Sequence, residues 1–257
     1  MNTIQVRGLQ VRKGSTFEIE DTVVLESTFS LYLNGRFFSG MVASNDRLEE
    51  LGAGFMICQG LSDRITNVTV KGQDILVDAP ITDIPAREII STGAVGVSRS
   101  PDPVKSSLSL DIADIYRITS EIETETWRKT GGVHCSVLFY QKDLLMKASD
   151  LGRHNTVDKV VGHAVLKGID RSMCILGCTG RQPRDMVTKA AHAGIPVIVS
   201  RAATTQQGIE TAQKAGITLI CFSRGDRFTV YTHPERVSDL HCNPAPESSL
   251  DDKRDEA

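Results

Sequence analysis

The chain has 257 residues, 40% of them hydrophobic and 24% charged, with a formal net charge of −3. That length supports a buried core in one large domain or two smaller ones, and no apolar run reaches the ~20 residues of a membrane-spanning helix. The last eleven residues, ESSLDDKRDEA, hold five acids and two bases, so the body is formally neutral and its bulk charge points to no nucleic-acid partner.

The opening residues, MNTIQVRGLQVRKG, lack the apolar stretch of a secretory leader. The expectation is a cytoplasmic protein with no membrane partner. The six cysteines, Cys58, Cys135, Cys174, Cys178, Cys221 and Cys242, form no C-x-x-C pair. Apolar runs such as FMICQG and LICFS read as reduced, buried thiols rather than a disulfide framework.

The first 45 or so residues read as β-rich. FSLYLNGRFFSGMVAS is a hairpin with Asn34-Gly35 as a type I′ turn. SNDRLEELGAGFMICQG is a helix, begun by Ser44 or Asn45 and ended by Gly60. NVTVKGQDILVDA is a second hairpin, turning near Gly72-Gln73. STGAVGVSRSPDPVKSS, 91–107, breaks all periodicity and is expected to be a mobile loop. Leu110, Ile112, Ile115, Ile118 and Ile122 then predict one long helix, stopped by Gly131-Gly132.

From 133 onward, apolar strands alternate with helices. Two strands flank Gln141-Lys142-Asp143, and NTVDKVVGHAVLKG follows as a helix. MCILGC, IPVIVSRA, ITLICFS and RFTVYTH read as strands; PRDMVTKAAHAG and TTQQGIETAQKAG read as helices. This rhythm predicts βαβ units in an α/β fold with a mostly parallel sheet covered on both faces. The expected division is a β-rich layer with one helix and the loop over 1–107, an α/β core over 108–240, and an acidic disordered tail over 241–257.

Ligands of open α/β folds bind beyond the carboxyl ends of strands, where loops enter helices. Polar clusters fall on such loops and nearby turns. TGGVH carries Gly131, Gly132 and His134; DLGRHN carries Arg153, His154 and Asn155; GCTGRQP carries Gly180 and Arg181. SRAATTQQG adds Arg201, Thr204 and Thr205, and FSRGDRF adds Arg224 and Arg227. Helix N-termini with forked arginine donors suit an anion, above all a phosphate. The competing reading is plainer: capping glycines, solvated arginines, and surface pairing of Asp150 and Asp158 with Arg153 and Lys159. The chain contains no P-loop, no H-E-x-x-H and no G-x-S-x-G.

TGGVH, DLGRHNTVDKVVG, TGRQPRDMVTKAAHAGIPVIVSRAATT and AGITLICFSRGDRFTVYTHPERV resemble the FdhD/NarQ family of formate dehydrogenase accessory sulfurtransferases. The resemblance is densest over 130–237. It implies sulfur transfer from a cysteine desulfurase to the molybdenum cofactor of formate dehydrogenase. It implies transient binding of Mo-bis(molybdopterin guanine dinucleotide), with Phe222, Ser223, Arg224, Gly225, Asp226 and Arg227 matching the family's cofactor segment. A cytidine-deaminase-like core and a homodimer are implied too.

One departure stands out. The family's C-G-x-C loop falls here on Val95, Gly96, Val97 and Ser98. Persulfide transfer needs a thiolate, which neither valine nor serine supplies. Three readings stand. The protein hands over the cofactor without sulfurating it; the sulfur travels on another thiol, Cys135 beside His134 being the candidate; or the family cysteines are dispensable. A zinc-deaminase reading of GGVHCS meets Ser136 where the proton-shuttling Glu belongs, with no P-C-x-x-C after it. No metal ligands are assigned.

Overall fold

The computed structural model describes residues 3–81, 87–91, 94–97 and 101–241, with backbone alone for 87–91 and 94–97. Among the described residues, no helix is long and apolar enough to cross a membrane. Cys242 and Ser98 lie outside them, as does all of the predicted tail after residue 241.

The chain begins as a two-stranded antiparallel ribbon, β1 (Thr3–Arg12) and β2 (Ser15–Val24). Next come β3 (Ser27–Leu33), β4 (Arg36–Ala43), α1 (Leu48–Cys58), β5 (Asn67–Lys71) and β6 (Asp74–Asp78). The four strands form a sheet in the order β4-β3-β6-β5. The β3–β4 turn falls at Asn34 and Gly35, both with positive φ, and the β5–β6 turn at Gly72, as the sequence predicts. Helix α1 is capped by Arg47 in the left-handed region, not by Ser44 or Asn45. Ser44 is withheld from capping because it is fully buried and bonded to Asp150 and Lys159.

Within the segment expected to be loop, β8 (Ala94–Val97) pairs with β7 (Arg87–Ser91), so Val95, Gly96 and Val97 stand on a hairpin strand. The predicted long helix is two: α2 (Ile112–Glu121) and α3 (Glu125–Thr130). Asp111 and Asp114 form a capping box that starts α2 after Leu110. Thr124 accepts from Trp127 N and starts α3 afresh.

The core runs β9 (His134–Tyr140), β10 (Asp143–Asp150), α4 (Arg153–Leu166), β11 (Cys174–Cys178), α5 (Arg184–His192), β12 (Val197–Ser200), α6 (Gln206–Ala215), β13 (Thr218–Arg224) and β14 (Arg227–Thr232). Its six-stranded sheet has the order β10-β9-β11-β12-β13-β14. Only the β11–β12 and β12–β13 pairings are parallel. The other three are antiparallel, which corrects the expectation of a mostly parallel sheet.

Alternate side chains serve opposite faces. Val137, Phe139, Ile175, Val197, Val199 and Ile220 pack under α2, while Leu138, Leu176, Ile198, Leu219 and Cys221 pack beneath α4, α5 and α6. Both faces are covered, so the strands read as unbroken apolar runs.

Helices α1 and α4 join the two layers at unusually close approach. A Cβ on Gly54 would fall 1.8 Å from Asp158 O, and one on Gly162 would fall 1.8 Å from Glu50 O. Only glycine at both positions lets the backbones touch.

Candidate functional site

Strand register decides which loops meet. Asp150 at the end of β10 lies opposite His134 at the start of β9, and Cys178 at the end of β11 lies opposite Ser136. Thr179 N donates to Cys135 O, Arg201 N to Cys178 O and Phe222 N to Ala202 O. The TGGVH, DLGRHN, GCTGRQP, SRAA and FSRGDRF segments therefore gather at one end of the sheet's strands. A cavity of about 690 Å³ opens there, lined by Trp127, Gly131, Gly132, Val133, His134, Leu151, Thr179, Arg201, Ala202 and Arg224.

Gly131 ends α3 at φ 61, a conformation that favours glycine. Gly132 packs on the ribbon: a Cβ there would lie 3.1 Å from Val24. Beyond them His134 Nδ1 sits 3.3 Å from Thr179 Oγ1, and that hydroxyl also accepts from Cys135 N at 3.0 Å. Burial, then the charges of Arg153 and His154, hold His134 below the usual imidazole range. Arg153 and His154 thus stand near His134, outside the cavity lining itself. Arg153 packs against Gly180, where a Cβ would come within 3.0 Å, and its buried Nε has no hydrogen-bond partner among the described residues. His154 Nε2 lies 2.6 Å from the buried Asp185 carboxylate on α5.

The opposite flank carries the arginines. Arg201 is ion-paired with Glu123 and lies over the Trp127 ring, 5.7 Å from its centroid. Arg224 Nε donates to Arg201 O at 3.1 Å. Burial and then the like charge of Arg224 pull Arg201 below the ordinary guanidinium value. A β-bulge places Arg224 here. The β13–β14 register slips between Cys221 and Arg224, with Phe222 at φ 51. Bulges re-aim side chains, and strained backbone of this kind concentrates at functional sites.

The rest of the 222–227 segment faces elsewhere. Ser223 is fully buried and bonded to Thr119 on α2. Asp226 O accepts from Tyr116 at 2.7 Å, while Gly225 and Arg227 sit on the exposed turn. Arg181 is exposed outside the cavity lining.

Much of the DLGRHNTVDK cluster is a buried staple between layers. Lys159 Nζ lies 2.7 Å from Asp150, 2.6 Å from Asp46 and 2.7 Å from Ser44 Oγ. Asn155 donates to Val42 O and to Asp150, each at 2.8 Å. Asp158 pairs with Lys189 on α5, both buried. Surface pairing with Arg153 and Lys159, the plainer expectation for the two aspartates, is thereby corrected. Asp150 does meet Lys159, but in the interior, because the β4–α1 loop closes over both.

Cys135 is also interior. It is fully buried, with Sγ 3.1 Å from Thr124 Oγ1 and 3.7 Å from Ser149 Oγ. Cys174 and Cys178 are both pushed up to about 12 by burial. Ser136 is buried against Thr156, 2.7 Å away. Sequence reading did not single out Trp127, Val133, Leu151, Thr179 and Ala202. The signal for Trp127 was its position just before the glycine pair.

Comparisons with known proteins identify the family. The model of the FdhD/NarQ family matches residues 24–238. The "Sulfur carrier protein FdhD" of Wolinella succinogenes is 33% identical over 244 residues, covering 88% of this chain and 85% of the relative. The protein of the same name in Bacillus subtilis is 30% identical over 251 residues, covering 88% and 94%. A solved structure of a candidate formate dehydrogenase accessory protein from Desulfotalea psychrophila superposes with TM-score 0.77 at 29% identity, covering 91% of this chain and 99% of that one. With the family model matched over residues 24–238, this chain belongs to the FdhD/NarQ family.

Proposed function

We propose that this protein is a formate dehydrogenase accessory protein whose cavity takes a guanine nucleotide arm of Mo-bis(molybdopterin guanine dinucleotide) as transient cargo. The observation that carries the reading is the juxtaposition of Arg201 and Arg224 on one wall. Their like charges oppose each other in a partly desolvated mouth. A pyrophosphate would relieve that repulsion and accept from both forks, and the Gly131-Gly132 backbone, bare of side chains, forms the adjoining wall. About 690 Å³ is a single-ligand volume, suited to one arm of the two-armed cofactor. A second copy of the chain would serve the other arm. A homodimer, a cytoplasmic setting and a cytidine-deaminase-like core belong to the same proposal, with formate dehydrogenase as the receiving partner.

Calorimetric titration with GDP tests it. Charge-assisted hydrogen bonds contribute roughly 1.5–3 kcal/mol, so Arg224→Ala weakens GDP binding by about 10- to 150-fold. Arg227→Ala, on the exposed turn, has a smaller effect. Unchanged affinity in Arg224→Ala refutes the placement.

Sulfur transfer is the second reading, favoured by relatives that bear the name sulfur carrier protein. It would add a cysteine desulfurase as partner. Delivery without a resident persulfide fits better, because Val95 and Ser98 offer no thiol and Cys135 is shut inside the sheet. His134, the neighbour expected to favour a thiolate, is itself biased towards the neutral form. Intact-protein mass after incubation with a desulfurase and cysteine decides between them. A reductant-labile gain of one sulfur, lost in Cys135→Ala, establishes the transfer reading; no adduct, with GDP binding retained, establishes delivery alone.

A further inference from the structure

The cavity has one feature that phosphate binding leaves unused. Trp127, the only tryptophan of the chain, forms part of its wall. The ring is held by its surroundings. Thr124 Oγ1 accepts from Trp127 N at 3.2 Å, and the same hydroxyl is hydrogen-bonded to Ser149 on β10 at 2.6 Å. Gly131 N donates to Trp127 O at 2.9 Å, closing the helix directly behind it. The side chain is braced as well. Arg201 lies over the ring, and Glu123 fixes Arg201 by an ion pair while its other carboxylate oxygen meets Arg128 at 3.4 Å. A mostly buried indole at a cavity wall, with Arg201 over one face and its backbone pinned, is a preformed aromatic surface.

We infer that Trp127 is the platform against which the purine ring of the bound nucleotide stacks, with the Glu123–Arg201 pair setting the angle of the indole. This rests on the nucleotide reading above and deepens it by naming the group that holds the base. Stacking on an aromatic side chain strengthens binding of a base whatever its hydrogen-bonding edge. The division of labour follows from position. Arg224 addresses the pyrophosphate; Trp127 addresses the base; Arg201 is held against the indole by Glu123.

The single tryptophan makes the test direct. The full-length protein is titrated with GDP and, separately, with inorganic pyrophosphate, following both tryptophan fluorescence and calorimetric heat. GDP is expected to change the fluorescence saturably with the same midpoint as the heat, and pyrophosphate to bind with little fluorescence change. Trp127→Ala is expected to weaken GDP roughly 5- to 150-fold while leaving pyrophosphate affinity within about two-fold. Trp127→Phe, which keeps a ring, should retain most of the GDP affinity, and it carries the comparison should the alanine variant not fold. GDP binding without any fluorescence response, or equal GDP affinity in parent and Trp127→Ala, overturns the platform and leaves the phosphate site standing. Failure of the parent to bind either ligand overturns both.

Discussion

Replacing Lys159 with Met tests whether the polar helix entrance at 150–159 is a structural staple. Lys159 is fully buried between Asp150, also fully buried, and Asp46, at 2.7 and 2.6 Å. Removing one partner of a buried ion pair costs about 3–5 kcal/mol, because the other charge is left uncompensated. Asp150 keeps hydrogen bonds from Ser44 N, Ser44 Oγ, Gly152 N and Asn155 Nδ2, at 3.1, 3.0, 3.1 and 2.8 Å. Those donors place the loss near the lower end, about 3 kcal/mol. At roughly 2–4 °C per kcal/mol for a chain of this size, Tm should fall by about 6–12 °C.

Charge leaves a second signature. Burial alone would raise Asp46, but hydrogen bonding and charge from Lys159 bring it below its ordinary 3.8. A carboxylate depressed in the folded state contributes stability above its unfolded value and loses it as pH falls through the folded value. The parent loses that contribution on acidification; Lys159→Met has none to lose. The gap in Tm should therefore narrow between about pH 7 and pH 3. Differential scanning calorimetry across that range measures it. A variant that melts within about 2 °C of the parent, or a gap independent of pH, refutes the staple.

The helix crossing gives a steric counterpart. Gly162→Ala drives a methyl into Glu50 O on a backbone that cannot rotate away. The overpacking cost of up to about 3 kcal/mol exceeds the ~1 kcal/mol gained in helix propensity, so a net loss near 2 kcal/mol is expected by urea denaturation. Gly40→Ala, with nothing within 4 Å of the added Cβ, is the control; equal effects at the two positions would sink the close-packing argument. His134, held below its ordinary 6.5, contributes stability that is present above that value and lost as pH falls below it. A bound polyanion should raise its midpoint, so imidazole proton shifts recorded with and without GDP should titrate higher in the complex, and an unmoved midpoint argues against an anion on that flank. Cys135 and Cys178, both buried, should resist alkylation in the native protein and react only on unfolding. Peptide mapping after a short iodoacetamide pulse reads this out.

What could be read in the sequence was local or periodic. Asn34-Gly35 and Gly72 mark turns because the backbone there needs positive φ, and the observed hairpins turn at those residues. The strands were legible because both sheet faces are covered, and the loops gather because they leave the same end of the sheet. Direction was not legible. An apolar run such as VLFY has no polarity, so the antiparallel placement of β9 beside β11 could not be told from a parallel one. The break between α2 and α3 was hidden because Ile118 and Ile122 continue the stripe into the turn, while the Thr124 cap that ends it looks like any threonine.

The cluster at 150–159 was ambiguous for a deeper reason. Asp, Arg, His, Asn and Lys at a helix start have the same composition whether they await a ligand or bury a charge network. What separates the two is Ser44 and Asp46, more than a hundred residues earlier in the chain. The structure uses the cluster both ways. Asp150, Asn155, Asp158 and Lys159 turn inward and fix α4 against the N-terminal layer and α5. Arg153 and His154, on the same first turn, stay partly exposed and set their charges beside His134. A loosened staple would therefore shift the rim of the mouth. Lys159→Met should weaken nucleotide binding as well as stability, although Lys159 itself is buried outside the cavity lining.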